Sequence, residues 1–403
     1  MRATTLPLAV TAYTVTSALG LGQEAHLDAL ARQRSGLRPN DFSSAPLACW
    51  IGRVDGVEAV ALPAPFAQWD CRNNRLAWLG LNQDDFLHDV RKLRERYGAH
   101  RIALLLGTST ASIAATEEGY RRLEGGRFPP DLHRTAIHTP HSLTAFVAAA
   151  LDIGGPCLTM STACSSSAKV FASAERLIRL GIVDAAIVGG VDSLCDSTLF
   201  GFNALELVSD EPCRPFDAQR RGISIGEAAG FALLERTDAC PDTPLRLLGC
   251  GESSDAHHMS TPDPEGVGAE IALRDALDRA GLDVSQMDYI NLHGTASQKN
   301  DAMEAALVAR LFPAHTRVSS TKGLTGHTLG AAGIVEAVIT LLSLREGLVP
   351  GNAGILHADP ACSAHFAWRN ETRPLRVASS HSFGFGGSNA CLVFARDDAG
   401  AHP

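Results

Sequence analysis

Short apolar runs recur along this chain, spaced so that helices fit between them. Residues 6–15, 101–106, 156–160, 185–188 and 230–234 are rich in aliphatic and β-branched side chains without strict polar alternation, the pattern of strands buried on both faces. Between them the period changes. Over residues 166–180, Val170, Phe171, Ala174, Leu177 and Ile178 fall on one side of a helix, and Gly181 offers its C-terminal stop. After Pro241 and Pro244 a second series begins, with strands at 245–250, 289–292, 376–380 and 390–394 and helices at 270–280 and 334–344. The pattern predicts two α/β halves, 1–244 and 245–403, in a duplicated layered architecture.

Composition narrows the function classes. With 403 residues, 45% hydrophobic and 20% charged, the chain can bury a large core, and its 37 Gly and 20 Pro do not gather into a linker. A net charge of -9 argues against general nucleic-acid binding. The ten cysteines form no C-x-x-C pair, so they read as free thiols in a reducing, cytoplasmic compartment. Threonines interrupt the N-terminal apolar stretch, which argues against a signal peptide, and no apolar run reaches the ~20 residues of a membrane span.

Three segments carry candidate chemistry. Thr159-Met160-Ser161-Thr162-Ala163-Cys164-Ser165-Ser166 passes from an apolar strand through small residues into a helix, so Cys164 falls where unpaired backbone N–H groups favour a thiolate. An ordinary thiol is only slightly ionised at neutral pH, so the site must lower its pKa or pass its proton to a base. His293 closes a predicted strand before Gly294, and His327 lies among glycines before a helix. A lone histidine at such a place is usually structural; two of them beside a strand-end cysteine suggest a site. Ser382-Phe383-Gly384-Phe385-Gly386-Gly387-Ser388-Asn389 is a glycine-rich loop able to aim backbone N–H groups at a developing oxyanion while its phenylalanines exclude water. No metal site is expected.

These motifs, with Pro215-Phe216-Asp217, Gly226-Glu227-Ala228-Ala229-Gly230, His257-His258-Met259 and Pro262-Asp263-Pro264 in the same order, make the chain resemble the elongating β-ketoacyl-acyl carrier protein synthases of the thiolase superfamily. The resemblance spans most of the chain. It implies a thiolase-like α/β fold, two βαβαβ-type halves forming five alternating layers, with the active site between them. It also implies a Cys164 acyl thioester, decarboxylation of malonyl carrier protein assisted by His293 and His327, and an oxyanion hole from the backbone N–H groups of Cys164 and Phe385. Lys322 and Glu304 would support the histidines, and Phe383 and Phe385 would wall the acyl pocket. Acyl groups would arrive on the phosphopantetheine of an acyl carrier protein, with no other cofactor, and the enzyme would be a homodimer or a heterodimer with a chain-length-factor-like subunit.

His327 separates this chain from initiating synthases, which have Asn there, and Cys164 separates it from a catalytically silent chain-length factor. A decarboxylase that does not condense would need only the histidines and the oxyanion loop. Ser297-Gln298, His381 and Ser388 depart from the common family pattern, and Cys71-Arg72-Asn73-Asn74-Arg75-Leu76 points toward specialised type II systems such as the aryl-polyene ketosynthases. Because carrier proteins are acidic, Arg72 and Arg75 are the first docking candidates, with Arg121, Arg122 and Arg127 as a second group.

Overall fold

The computed structural model describes residues 6–397. In the N-terminal half, strands β1 (Leu8–Ser17), β2 (Ile102–Gly107), β3 (Cys157–Met160), β4 (Ala185–Asp192) and β5 (Ala228–Arg236) lie side by side in the order β3-β2-β4-β5-β1. In the C-terminal half, β6 (Leu245–Ser254), β7 (Tyr289–Asn291), β8 (Arg317–Ser319), β9 (Val377–Gly384) and β10 (Ser388–Arg396) run in the order β8-β7-β9-β10-β6. The two orders are the same when each half is counted from its own first strand. So are the directions: the second strand pairs parallel with the third and fourth, and the fourth, fifth and first pair antiparallel. The halves join edge to edge through Leu8 opposite Leu247 and Ala9 opposite Arg246.

Helices divide the strands into layers. Helices α1 (Arg72–Leu81), α2 (Phe86–Tyr97) and α3 (Ser142–Leu151) cover the outer face of the first half, where Leu76, Phe86, Val90 and Phe146 pack with Ile102, Leu104 and Leu106. The alternate residues of β2, Ala103 and Leu105, turn inward to helices α4 (Ser166–Arg179) and α5 (Ala332–Glu346) and, beyond them, to Ala378, Leu392 and Phe394 of the second half. Both faces of β2 are therefore apolar, as its uninterrupted hydrophobic run predicts. Helices α6 (Val267–Ala280) and α7 (Gln298–Leu311) close the far side, against Ile290, Val318 and Val393. The resulting α/β fold has five layers, with α4 and α5 sandwiched between the strands of the two halves.

The sequence of α5 reflects that position. Every residue from Ala332 to Leu344 is buried, so the helix has no solvent-facing polar stripe, and its few polar side chains, Glu336, Thr340 and Ser343, are buried with the rest. One expectation fails at β3, whose apolar sequence reads as a buried strand. It is an edge strand with partial exposure throughout, and Leu158 is 43% exposed.

Candidate active site

Cys164 stands between β3 and α4. Ala163 precedes it with φ at 51°, a left-handed conformation that only a small side chain tolerates cheaply. Ser166 holds this elbow: its hydroxyl accepts from the Thr162 backbone N–H at 2.9 Å and donates to the Ala163 carbonyl at 2.6 Å. The corresponding place in the second half, between β8 and α5, holds His327. Its backbone N–H donates to the Ser224 carbonyl at 2.8 Å, and its own carbonyl accepts from Gly226 N–H at 2.9 Å. His293 follows β7. Thus the duplicated topology delivers the nucleophile and one histidine from equivalent strand-helix turns, and the other histidine from a strand end.

The three side chains converge. His327 Nε2 lies 2.9 Å from Cys164 Sγ, and the two imidazole rings are edge to face with centroids 5.3 Å apart. The Phe385 backbone N–H lies close enough to the Cys164 sulfur to favour its thiolate. Behind His293, Lys322 Nζ donates to the His293 carbonyl at 2.5 Å, stands 3.4 Å from His293 Nδ1 and pairs with Glu336. With a cationic donor against Nδ1, the ring proton of His293 belongs on Nε2. Glu304 fixes the backbone at the same histidine, accepting from His293 N–H at 2.9 Å and Gly294 N–H at 2.6 Å, while Asn300 donates to it at 2.8 Å.

Burial dominates the protonation states. It pushes the Cys164 thiol up to about 12, outweighing Lys322 and the Phe385 N–H, which both favour the thiolate. The helix-terminus argument from sequence therefore does not decide this thiol; the nearby imidazole must handle the proton. Burial, reinforced by Lys322, holds both His293 and His327 well below the ordinary histidine range, so both rings are neutral at pH 7. Burial also raises Glu304, to about 8, against its hydrogen-bond donors.

A cleft reaches this trio, lined by Thr295, Ser297, Asn300, His258, Phe383 and Phe385 among others. Phe385 stacks on Phe202 at 5.4 Å, and Phe383 packs between His293 and His381. Of the unusual residues, Ser297 bonds Thr295 at 2.9 Å on the cleft wall, and buried His381 is pushed down to about 3 and stays neutral.

Of the arginines chosen from sequence, Arg72, Arg75, Arg121 and Arg122 are held in ion pairs. Arg72 is 12% exposed and pairs with buried Glu227 at 2.6 Å and with Glu58. Arg75 is clamped by both oxygens of Asp70, at 2.5 and 2.6 Å. These pairings neither support nor exclude the docking expectation: Arg72 is turned into the fold, whereas Arg75 is 33% exposed and paired at the surface. Arg121 and Arg122 pair with Asp196 and Asp131, at 2.7 and 2.9 Å, and Arg127 is exposed.

Two residues of the site escaped the sequence reading. Glu336 could have been found as the one carboxylate in the apolar run of α5. Asp192, buried at the end of β4, accepts from Thr108, Ser109 and Thr110 and from Gly330 N–H at 2.6 Å, tying the first half to the His327 turn. A carboxylate ending an all-apolar strand was its signal.

Comparisons with known proteins bear on the family and the fold. Residues 85–239 match the family model described as the beta-ketoacyl synthase N-terminal domain, and residues 246–355 match its C-terminal domain. The 3-oxoacyl-[acyl-carrier-protein] synthase 2 of Coxiella burnetii is 31% identical over 416 residues, covering 96% of this chain and 98% of that protein. Nodulation protein E of Rhizobium meliloti is 34% identical over 73% of this chain and 76% of its own length. Among solved structures, a chain from the complex of the ketosynthase ApeO with its chain length factor ApeC, from Xenorhabdus doucetiae, superposes with a TM-score of 0.88 at 37% identity. That match covers 97% of this chain and 98% of the other.

Proposed function

Because this chain belongs to the β-ketoacyl synthase family, we propose that it condenses a Cys164-bound acyl group with malonyl-acyl carrier protein, giving a 3-oxoacyl thioester and carbon dioxide. The pathway is fatty-acid or aryl-polyene/polyketide synthesis in the cytoplasm. Residues 1–244 contribute the nucleophile and residues 245–403 the histidines. The observation that carries the reading is the 2.9 Å contact between Cys164 and His327, with His293 beside it.

In the first step Cys164 Sγ attacks the acyl carbonyl of the carrier's phosphopantetheine thioester. The thiol proton passes to His327 Nε2 and on to the departing sulfur. Backbone N–H groups of Cys164 and Phe385 receive the tetrahedral oxyanion. Malonyl thioester then enters; its carboxyl carbon–carbon bond breaks, carbon dioxide leaves, and the electron pair moves to the thioester oxygen. His293 Nε2–H donates to that oxygen because Lys322 occupies Nδ1. Among the described residues none bonds His327 Nδ1, so its proton can reside on either nitrogen, and Nε2 can accept in acylation and donate in decarboxylation. The enolate carbon attacks the Cys164 thioester, the new oxyanion collapses, and the expelled Cys164 thiolate takes a proton from solvent by way of His327.

A silent chain-length-factor role is the alternative, and the intact cysteine and histidines oppose it. The proposed partners are an acyl carrier protein and a second subunit, a copy of this chain or a chain-length-factor-like relative. Intact-mass spectrometry tests the reading: acyl carrier protein should add its acyl mass to the wild type but not to Cys164→Ala. Malonyl carrier protein should then remove it with release of 3-oxoacyl product. Absence of acylation across short, long and aryl-unsaturated primers, also after supplying a chain-length-factor subunit, would overturn it.

A further inference from the structure

Among the described residues, Cys164, His293 and His327 are also the one trio of potential metal ligands whose donor atoms, one from each side chain, all lie within 4.8 Å of one another. All three are buried. We propose that this trio binds a thiophilic divalent cation, zinc above all, and that the bound ion acts as an inhibitor by occupying the nucleophile. The proposal concerns the same side chains as the condensing reaction but does not depend on that reaction taking place.

The donor set is the first argument. One thiolate and two imidazoles suit zinc in preference to magnesium or calcium, which take oxygen. Geometry is the second. A tetrahedral zinc site with bonds of about 2.0 to 2.3 Å keeps its donor atoms roughly 3.3 to 3.6 Å apart. Here the sulfur and His327 Nε2 are 2.9 Å apart and no separation exceeds 4.8 Å, so the required spacing lies within the observed range and small side-chain rotations reach it. Lys322 stands against Nδ1 of His293, leaving Nε2 as the free donor. The supports are buried: Cys164 leads into α4, His293 follows β7, and the His327 backbone is pinned by Ser224 and Gly226, so little order must be gained on binding.

Charge permits the ion. The Lys322 ammonium beside His293 is already paired with buried Glu336. On binding, the Cys164 S–H bond breaks and its proton leaves to solvent, a sulfur–metal bond forms, and each imidazole lends a lone pair. Three protein ligands leave a fourth position open to the cleft that Thr295, Asn300 and Phe383 line, the arrangement of an accessible zinc site. A sulfur so engaged cannot attack a thioester, and an acylated sulfur cannot serve as a thiolate ligand. Metal and acyl group therefore exclude each other.

Cobalt(II) titration of the chelator-treated full-length protein tests the site without reference to turnover. One equivalent should produce the intense visible bands of a four-coordinate ion together with near-ultraviolet sulfur-to-cobalt charge transfer. Zinc should displace it and protect Cys164 from iodoacetamide. Cys164→Ser should abolish the charge-transfer band. Cobalt affinity should fall by roughly a hundredfold or more in that variant and in His327→Asn, since a lost ligand exceeds the ~10–100-fold cost of losing an outer partner. Circular dichroism of each variant establishes that it is folded; a folded Cys164→Ala replaces any serine variant that is not. A weak six-coordinate spectrum in the wild type, or charge transfer that survives loss of Cys164, would overturn the proposal.

Discussion

At the scale of single residues, the chemistry turns on groups held in unusual states by burial. The Cys164 thiol, raised to about 12, should react with iodoacetamide at a rate that still climbs above pH 9, measured by peptide mass spectrometry; a plateau near neutrality would instead identify a thiolate–imidazolium pair. Lys322 and Glu336 separate stability from chemistry. Lys322→Met strands a buried carboxylate and should cost about 3–5 kcal/mol in unfolding free energy. Adding Glu336→Leu should restore most of that loss in a thermal melt. Malonyl decarboxylation should stay impaired in the double variant, because nothing then holds the His293 proton on Nε2; a wild-type rate would refute the tautomer role. The cysteine and both histidines were legible in sequence because each stands among small residues at a junction of predicted elements, Cys164 after a strand, His293 at a strand end and His327 among glycines before a helix. The ion pair behind them was not, since Lys322 and Glu336 meet only after β8 and α5 fold around the His293 turn, and Arg72 reads as a surface charge until its contact with Glu227 is seen.

At the scale of elements, the central pair of helices sets the distance between nucleophile and histidine. Their contact is close because Gly333 has no side chain: a Cβ there would lie 2.4 Å from Ala168 N and 2.8 Å from Ala168 Cβ. Gly to Ala within an exposed helix normally stabilises by about 1 kcal/mol. Here Gly333→Ala should reverse that sign and destabilise by about 1–3 kcal/mol through overpacking, as urea unfolding would measure. Cys164 acylation should slow in parallel, because Cys164 leads directly into α4 and the His327 turn runs into α5; a stabilised variant would show that the helices have room to separate. Hydrophobic periodicity located most of these strands and the helices α4, α5 and α6 to within a few residues, but did not mark α1, α2, α3 or α7. It could not order the strands, because neighbours in the sheet, such as β1 and β5 or β6 and β10, are far apart in sequence. It also misjudged β3, since an apolar strand awaiting another surface has the same composition as one already buried.

At the scale of the whole molecule, the duplication exposes an inequality between its two ends. In the C-terminal half, the edge strand β8 is covered: Val318 N–H donates to the His365 carbonyl at 3.0 Å, and the Val318 carbonyl accepts from Ala367 N–H at 2.9 Å. The equivalent strand β3 forms the other edge of the sheet, with Leu158 open to solvent. An apolar edge left open invites pairing with another chain, which agrees with the second subunit proposed above. Leu158→Lys should convert the assembled protein to monomer in sedimentation velocity, because a strand-pairing interface would have to bury the new ammonium beside an apolar surface. Condensation should fall with it, since β3 runs directly into the Cys164 elbow and pairing would steady that turn. An unchanged sedimentation coefficient in a variant with wild-type circular dichroism would place the subunit contact on another face.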